Sequence, residues 1–100
     1  MENSEMEDFV NAVRERSDIY EVVSRYVTLT LKGGRFWACC PFHEEKTPSF
    51  TVTPDKGIFY CFGCHEGGNV FKFISLMEHI TYFEAVKLQA ERLEIKLPRS

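Results

Sequence analysis

The chain has 100 residues, 44% of them hydrophobic and 27% charged, with a formal net charge of −3. That length supports one small domain with a modest core, and the acidic balance argues against a binder held by bulk positive charge. No stretch approaches the roughly 20 apolar residues of a membrane span, and the start, Met1-Glu2-Asn3-Ser4-Glu5, is unlike a signal peptide.

In chain order, Ser4 and Glu7 resemble a capping box, and Phe9, Val10 and Val13 follow at helical spacing, predicting a helix over about 7–16. Ser17-Asp18 interrupts it, and Asp18 with Glu21 opens a short helix carrying Ile19, Val22 and Val23. Val27 to Leu31 alternates strictly, as a half-buried strand does. Lys32-Gly33-Gly34 turns the chain back into a second strand, Arg35 to Cys39. A second hairpin pairs 49–53 with 58–61 around Pro54-Asp55-Lys56-Gly57. Gly67-Gly68-Asn69 is expected to end the sheet, and a helix follows over 70–80. Thr81 and Glu84 form a further capping signal, before a last helix with Phe83, Val86, Ala90 and Leu93 on one face.

Between these elements lie two pairs of soft ligands. Cys40-Pro41-Phe42-His43 is followed, after seventeen intervening residues, by Cys61-Phe62-Gly63-Cys64. Two residues between ligands let a tight turn aim both side chains at one ion. Three thiolates and an imidazole, with no carboxylate, make a closed tetrahedral Zn²⁺ site that is structural, with no position left for water. One CxxC alone would equally suit a thiol oxidoreductase acting through Cys61 and Cys64; the second half-site argues against it. Cys39 and Cys40 are adjacent, so alternation sends them to opposite faces, and the two-residue spacing to His43 selects Cys40. His65 reads as a loop histidine and His79 as the last turn of a helix. The expected fold is α+β: a zinc ribbon on an antiparallel β-sheet flanked by N- and C-terminal helices, one domain over 1–100. Thiols that bind metal suit a reducing, cytoplasmic setting.

The charge is uneven. From Lys32 to Lys72 there are five basic residues against four acidic ones, and the excess acid lies in the flanks. Alternation puts Arg35 and Trp37 on one face of their strand, and Ile58 and Tyr60 on one face of theirs. If these faces coincide with that of Thr51 and Thr53, they form a platform on which bases could stack at about 1–3 kcal/mol each. Lys46 and Lys56 could bracket a strand laid there. Phe36, Phe42, Phe50, Phe62, Phe71 and Phe73 read as core.

Cys40-Pro41-Phe42-His43, Glu45-Lys46-Thr47-Pro48-Ser49-Phe50, Cys61-Phe62-Gly63-Cys64 and Gly67-Gly68-Asn69 together resemble the N-terminal zinc-binding domain of bacterial DnaG-type DNA primases. The residues from Glu45 to Phe50 are not required by zinc chemistry, so they make the resemblance specific, and it extends over nearly the whole chain. It implies a module that reads single-stranded DNA template for a separate RNA polymerase domain, of the same or a neighbouring primase, which synthesises the primer. Contacts with a replicative helicase would belong to regions absent here. On this reading the fragment alone makes no primer, and 1–100 is the first domain of something longer. The alternative is a zinc ribbon that docks a protein of the replication machinery through its acidic helical flanks.

Overall fold

The structure, a computed structural model, describes residues 2–42 and 47–97. Helix α1 (Glu2–Arg16) starts earlier than the capping signal suggests, so Ser4 lies within the helix. Its inner stripe is Met6, Phe9, Val10 and Val13, at the spacing that faces a core. The Ser17 hydroxyl donates to the Val13 carbonyl at 2.6 Å, occupying an acceptor of the last turn. Asp18 then caps α2 (Ile19–Ser24) by accepting the Tyr20 N–H at 3.0 Å, and α2 buries Ile19, Val22 and Val23.

Five antiparallel strands follow in sequence order: β1 (Thr30–Lys32), β2 (Arg35–Cys39), β3 (Pro48–Thr53), β4 (Ile58–Cys61) and β5 (Gly67–Gly68). β1 is shorter than the alternation predicts. The chain reaches the sheet only at Thr30; Val27 and Leu29, before it, pack against the core, while Leu31, on this edge strand, is 63% exposed. Gly33 and Gly34 take φ of 60° and 80°, the left-handed conformation that a two-residue hairpin demands at both central positions. Lys32 therefore faces Arg35, and the register continues through Trp37 opposite Thr51 and Thr51 opposite Tyr60. Between β3 and β4 a short 3₁₀ turn, Pro54–Lys56, closes on Gly57 at φ 65°. Gly67 and Gly68 do not end the sheet; they pair with Tyr60 and Phe59 as β5.

Helix α3 (Val70–Glu78) is capped by Asn69, whose side chain accepts the Lys72 N–H at 3.0 Å, and it ends on His79 at φ 59°. His79 is thus the cap and not part of the last turn. Thr81 and Glu84 form a reciprocal capping box for α4 (Tyr82–Arg92), with bonds of 2.9 and 3.1 Å. Ala85, Val86, Gln89 and Ala90 are the buried face of α4; Phe83, one step around the helix, is exposed.

The core lies on the inner face of the sheet, beneath α2 and α3. Four rings, Phe42, Phe50, Phe59 and Phe73, touch in all six pairings at centroid distances of 5.6–5.9 Å. Phe50, Phe59 and Phe73 are fully buried; Phe42, from the first ligand turn, reaches in from the end of the sheet. Among the described residues, no helix is long and apolar enough to cross a membrane.

Candidate metal centre and the sheet face beside it

Both ligand turns sit at one end of the sheet, because β2 runs into Cys40 and β4 ends on Cys61. A bulge between Ala38 and Cys39 marks where β2 leaves the ladder. As alternation requires, Cys39 is exposed and Cys40 buried. The second turn is closed by the His65 N–H on the Cys61 carbonyl and the Cys61 N–H on the Glu66 carbonyl, both at 2.8 Å.

Cys40, Cys61 and Cys64 converge, their sulfurs within 4.8 Å of one another. The Cys40 and Cys64 sulfurs are 3.7 Å apart. Two thiolates each about 2.3 Å from one tetrahedral zinc stand about 3.8 Å apart, so this edge already has the span of a zinc site. Two of the three thiols are buried and the third lies at the surface. The group contains no carboxylate and joins three cysteines from two turns, a donor set suited to zinc and not to a two-cysteine redox pair. His43 and Lys46 lie outside the described residues.

The thiols titrate unequally. Burial pushes Cys40 up to about 12, and its neighbours Cys61 and Cys64 add to the rise, although the Phe42 N–H favours the thiolate. Cys61 feels the same burial, but the Cys64 N–H, the Ser49 hydroxyl, the Gly63 N–H and the Cys40 thiol outweigh it and bring it down to about 7. In the metal-free chain one thiolate therefore forms first, at Cys61, and zinc must expel the Cys40 proton throughout the neutral range. Protons are released on loading, so affinity rises with pH. Competition with a zinc chelator should show it at least about a hundredfold tighter near pH 8 than near pH 6, tenfold per unit from Cys40 alone. A flat pH profile would mean that Cys40 gives up no proton to the metal.

On the outer face, register aligns Trp37, Thr51 and Tyr60 in one row, with Arg35 and Ile58 on the same face one row away. The two faces that the sequence left conditional do coincide. The Trp37 indole N–H donates to the Lys32 carbonyl across the hairpin at 3.1 Å, and the Tyr60 hydroxyl is 3.0 Å from His65 Nδ1. Arg35 is exposed at the end of the sheet away from the cysteines. Lys56, in the turn between β3 and β4, is at that same end, two or more residues along the strands from the aromatic row. Phe62, expected in the core, is instead 50% exposed. It continues the alternation of β4, outward like Ile58 and Tyr60 while Phe59 and Cys61 point inward, and its N–H still bonds the Ser49 carbonyl at 2.8 Å; that period of two is the signal that could have found it.

The family model described as CHC2 zinc finger matches residues 5–100. The chain belongs to the CHC2 zinc finger family. Its relatives include the DNA primases of Staphylococcus aureus strain COL, 45% identical over 89 residues, and of Staphylococcus epidermidis, 46% identical over 88 residues. These alignments cover 89% and 88% of this chain but 15% of each relative. Among solved structures, the Aquifex aeolicus primase (zinc-binding and RNA polymerase domains) is 46% identical with a TM-score of 0.86, over 90% of this chain and 22% of that one. The chain thus spans about a seventh of the curated relatives' length. As in other CHC2 zinc fingers, one structural zinc belongs here, and the cysteine trio is where it fits.

Proposed function

We propose that the chain is the zinc-binding module of a DNA primase and that it reads single-stranded DNA template for a linked RNA polymerase domain. The observation that carries this reading is the row of Trp37, Thr51 and Tyr60 on the outer sheet face, with the two aromatics half-exposed and Arg35 beside it. Aromatic faces and a few cations on a sheet suit a single strand, because every base offers a π-face and stacking needs little net positive charge. The similarity to primases over most of the chain supports the setting, and the small share of each relative that is covered supports a module of a longer protein.

In this reading His43 is the fourth zinc ligand, completing the set of Cys40, Cys61 and Cys64. Trp37 and Tyr60 meet bases, and Arg35, Lys46 and Lys56 meet phosphates. Primer synthesis itself, and any contact with a helicase, would lie with other regions of the protein. The test is a titration of labelled single-stranded DNA into the zinc-loaded and the metal-stripped chain at two salt concentrations. Binding should require zinc and weaken linearly in log–log form with salt, with a shallow slope that reflects only a few phosphates. Lys46→Ala should retain zinc and reduce both affinity and slope. Zinc-independent binding would remove the reading, and salt-insensitive capture of a polymerase domain without DNA affinity would favour a docking module.

A further inference from the structure

One buried polar side chain is out of place. Thr51 is only 3% exposed although it stands between Trp37 and Tyr60 on the outer face, away from the core. Its hydroxyl donates to the Tyr60 carbonyl at 2.8 Å. The Phe62 ring stands close to both of Thr51's cross-strand partners. It lies 6.1 Å from Trp37, nearly parallel at 21°, and 5.1 Å from Tyr60, edge-on at 76°. Its backbone is fixed there, since the Phe62 N–H donates to the Ser49 carbonyl at 2.8 Å. Half of its surface nevertheless faces water.

Beside this stack is a groove of about 440 Å³ lined by Lys32, Gly33, Arg35, Trp37 and Pro48. Two of those five residues are cations and none is acidic. Among the described residues, neither Lys32 nor Arg35 is held in an ion pair. The nearest acid on the second ligand turn, Glu66, is 3.8 Å from Lys72 and is thereby partly neutralised. Trp37 belongs to both the stack and the groove.

From this arrangement we infer that Phe62, with Trp37, is the base-stacking surface of the domain, and that the Lys32–Arg35 groove holds the adjoining phosphate. The inference rests on the single-strand reading above and adds what positions the strand. Phe62 lies between Cys61 and Cys64, so the metal that closes that turn also fixes the stacking ring. Zinc acts on the bound strand through Phe62 and touches no nucleotide.

Trp37 is the only tryptophan of the chain, so its emission reports on this surface alone. The experiment follows both Trp37 emission and the anisotropy of a fluorescein-labelled mixed-sequence oligodeoxynucleotide, using zinc-loaded wild type, Phe62→Leu and Phe62→Tyr. In the wild type, binding should quench Trp37 in step with the anisotropy change. Phe62→Leu keeps the bulk and loses the π-face; it should retain one zinc and bind about ten- to a hundredfold more weakly. Phe62→Tyr should restore affinity to within about threefold. Wild-type anisotropy that rises with no change in Trp37 emission would place the strand elsewhere and overturn this inference while leaving the single-strand reading intact. Equal affinity in zinc-loaded Phe62→Leu would do the same. No anisotropy change in the wild type would overturn both.

Discussion

Replacing Cys61 with alanine is expected to abolish zinc binding and, with it, the ordered fold at the ligand end of the sheet. Cys61 is fully buried and belongs to both structures at once. Its sulfur is one vertex of the cysteine trio, and its backbone pairs with Phe50 in β3. Structural zinc in small metal-dependent folds is worth about 10–16 kcal/mol, against a total stability of about 5–15 kcal/mol for a domain of ordinary size. Losing one of the thiolates that close the site therefore leaves little to hold the turns. Metal analysis should fall from one zinc per chain to none, and the melting midpoint should drop by well over roughly 10 °C or the cooperative transition should vanish. A variant that still bound one zinc and melted as the wild type does would show that Cys61 is not a ligand, whatever its place in the trio.

Phe73→Ala is the second large effect, and it needs no metal chemistry. Phe73 projects from α3 into the four-ring cluster and also meets Tyr26 edge-on at 5.5 Å. Its removal loses the transfer energy of a buried ring and leaves a void where Phe42, Phe50 and Phe59 cannot all close in. Such truncations cost about 3–5 kcal/mol, which for a domain of this size is roughly 15–30 °C in melting temperature. Phe42 gives the variant a second signature. That ring comes from the turn carrying Cys40, so loosening its pocket should also weaken zinc retention in a chelator challenge. Wild-type zinc affinity in a chain destabilised by several kcal/mol would mean that the first ligand turn is held independently of the core.

How far the sequence foretold this molecule depends on how local each signal is. Asp18 and the Thr81–Glu84 pair act within one helical turn, and their helices begin where those residues indicate. The Gly33-Gly34 hairpin fixes the β1–β2 register by its length; the alignment of Arg35 and Trp37 with Thr51, Thr53 and Tyr60 depends on the pairing of β2 with β3, which the sequence left conditional. The misses were of both kinds: α1 begins at Glu2, ahead of the local Ser4–Glu7 signal, and others turned on contacts far along the chain. Phe62 follows Cys61 directly and lies on the outer face, whereas Phe42 comes two residues after Cys40 and enters the core. Phe83 differs from the buried Val86 only by its angle around α4, which the packing of α3 decides. Gly67 and Gly68 have no side chains to announce a strand. Gly67 pairs with Tyr60 because nothing stands in the way: a Cβ there would come within 2.7 Å of the Tyr60 ring.

The same two glycines matter for a different reason. The sheet ends on β5, two residues long, and begins on β1, three residues long. Free margins of that length offer an arriving polypeptide only one or two backbone hydrogen bonds, too few to template a sixth strand. A domain that leaves Phe62 exposed and Trp37 and Tyr60 half-exposed would otherwise invite self-association through lateral strand addition. Short borders close that route while leaving the middle of the sheet accessible, so what binds there is selected for lying flat on rings rather than for extending a ladder.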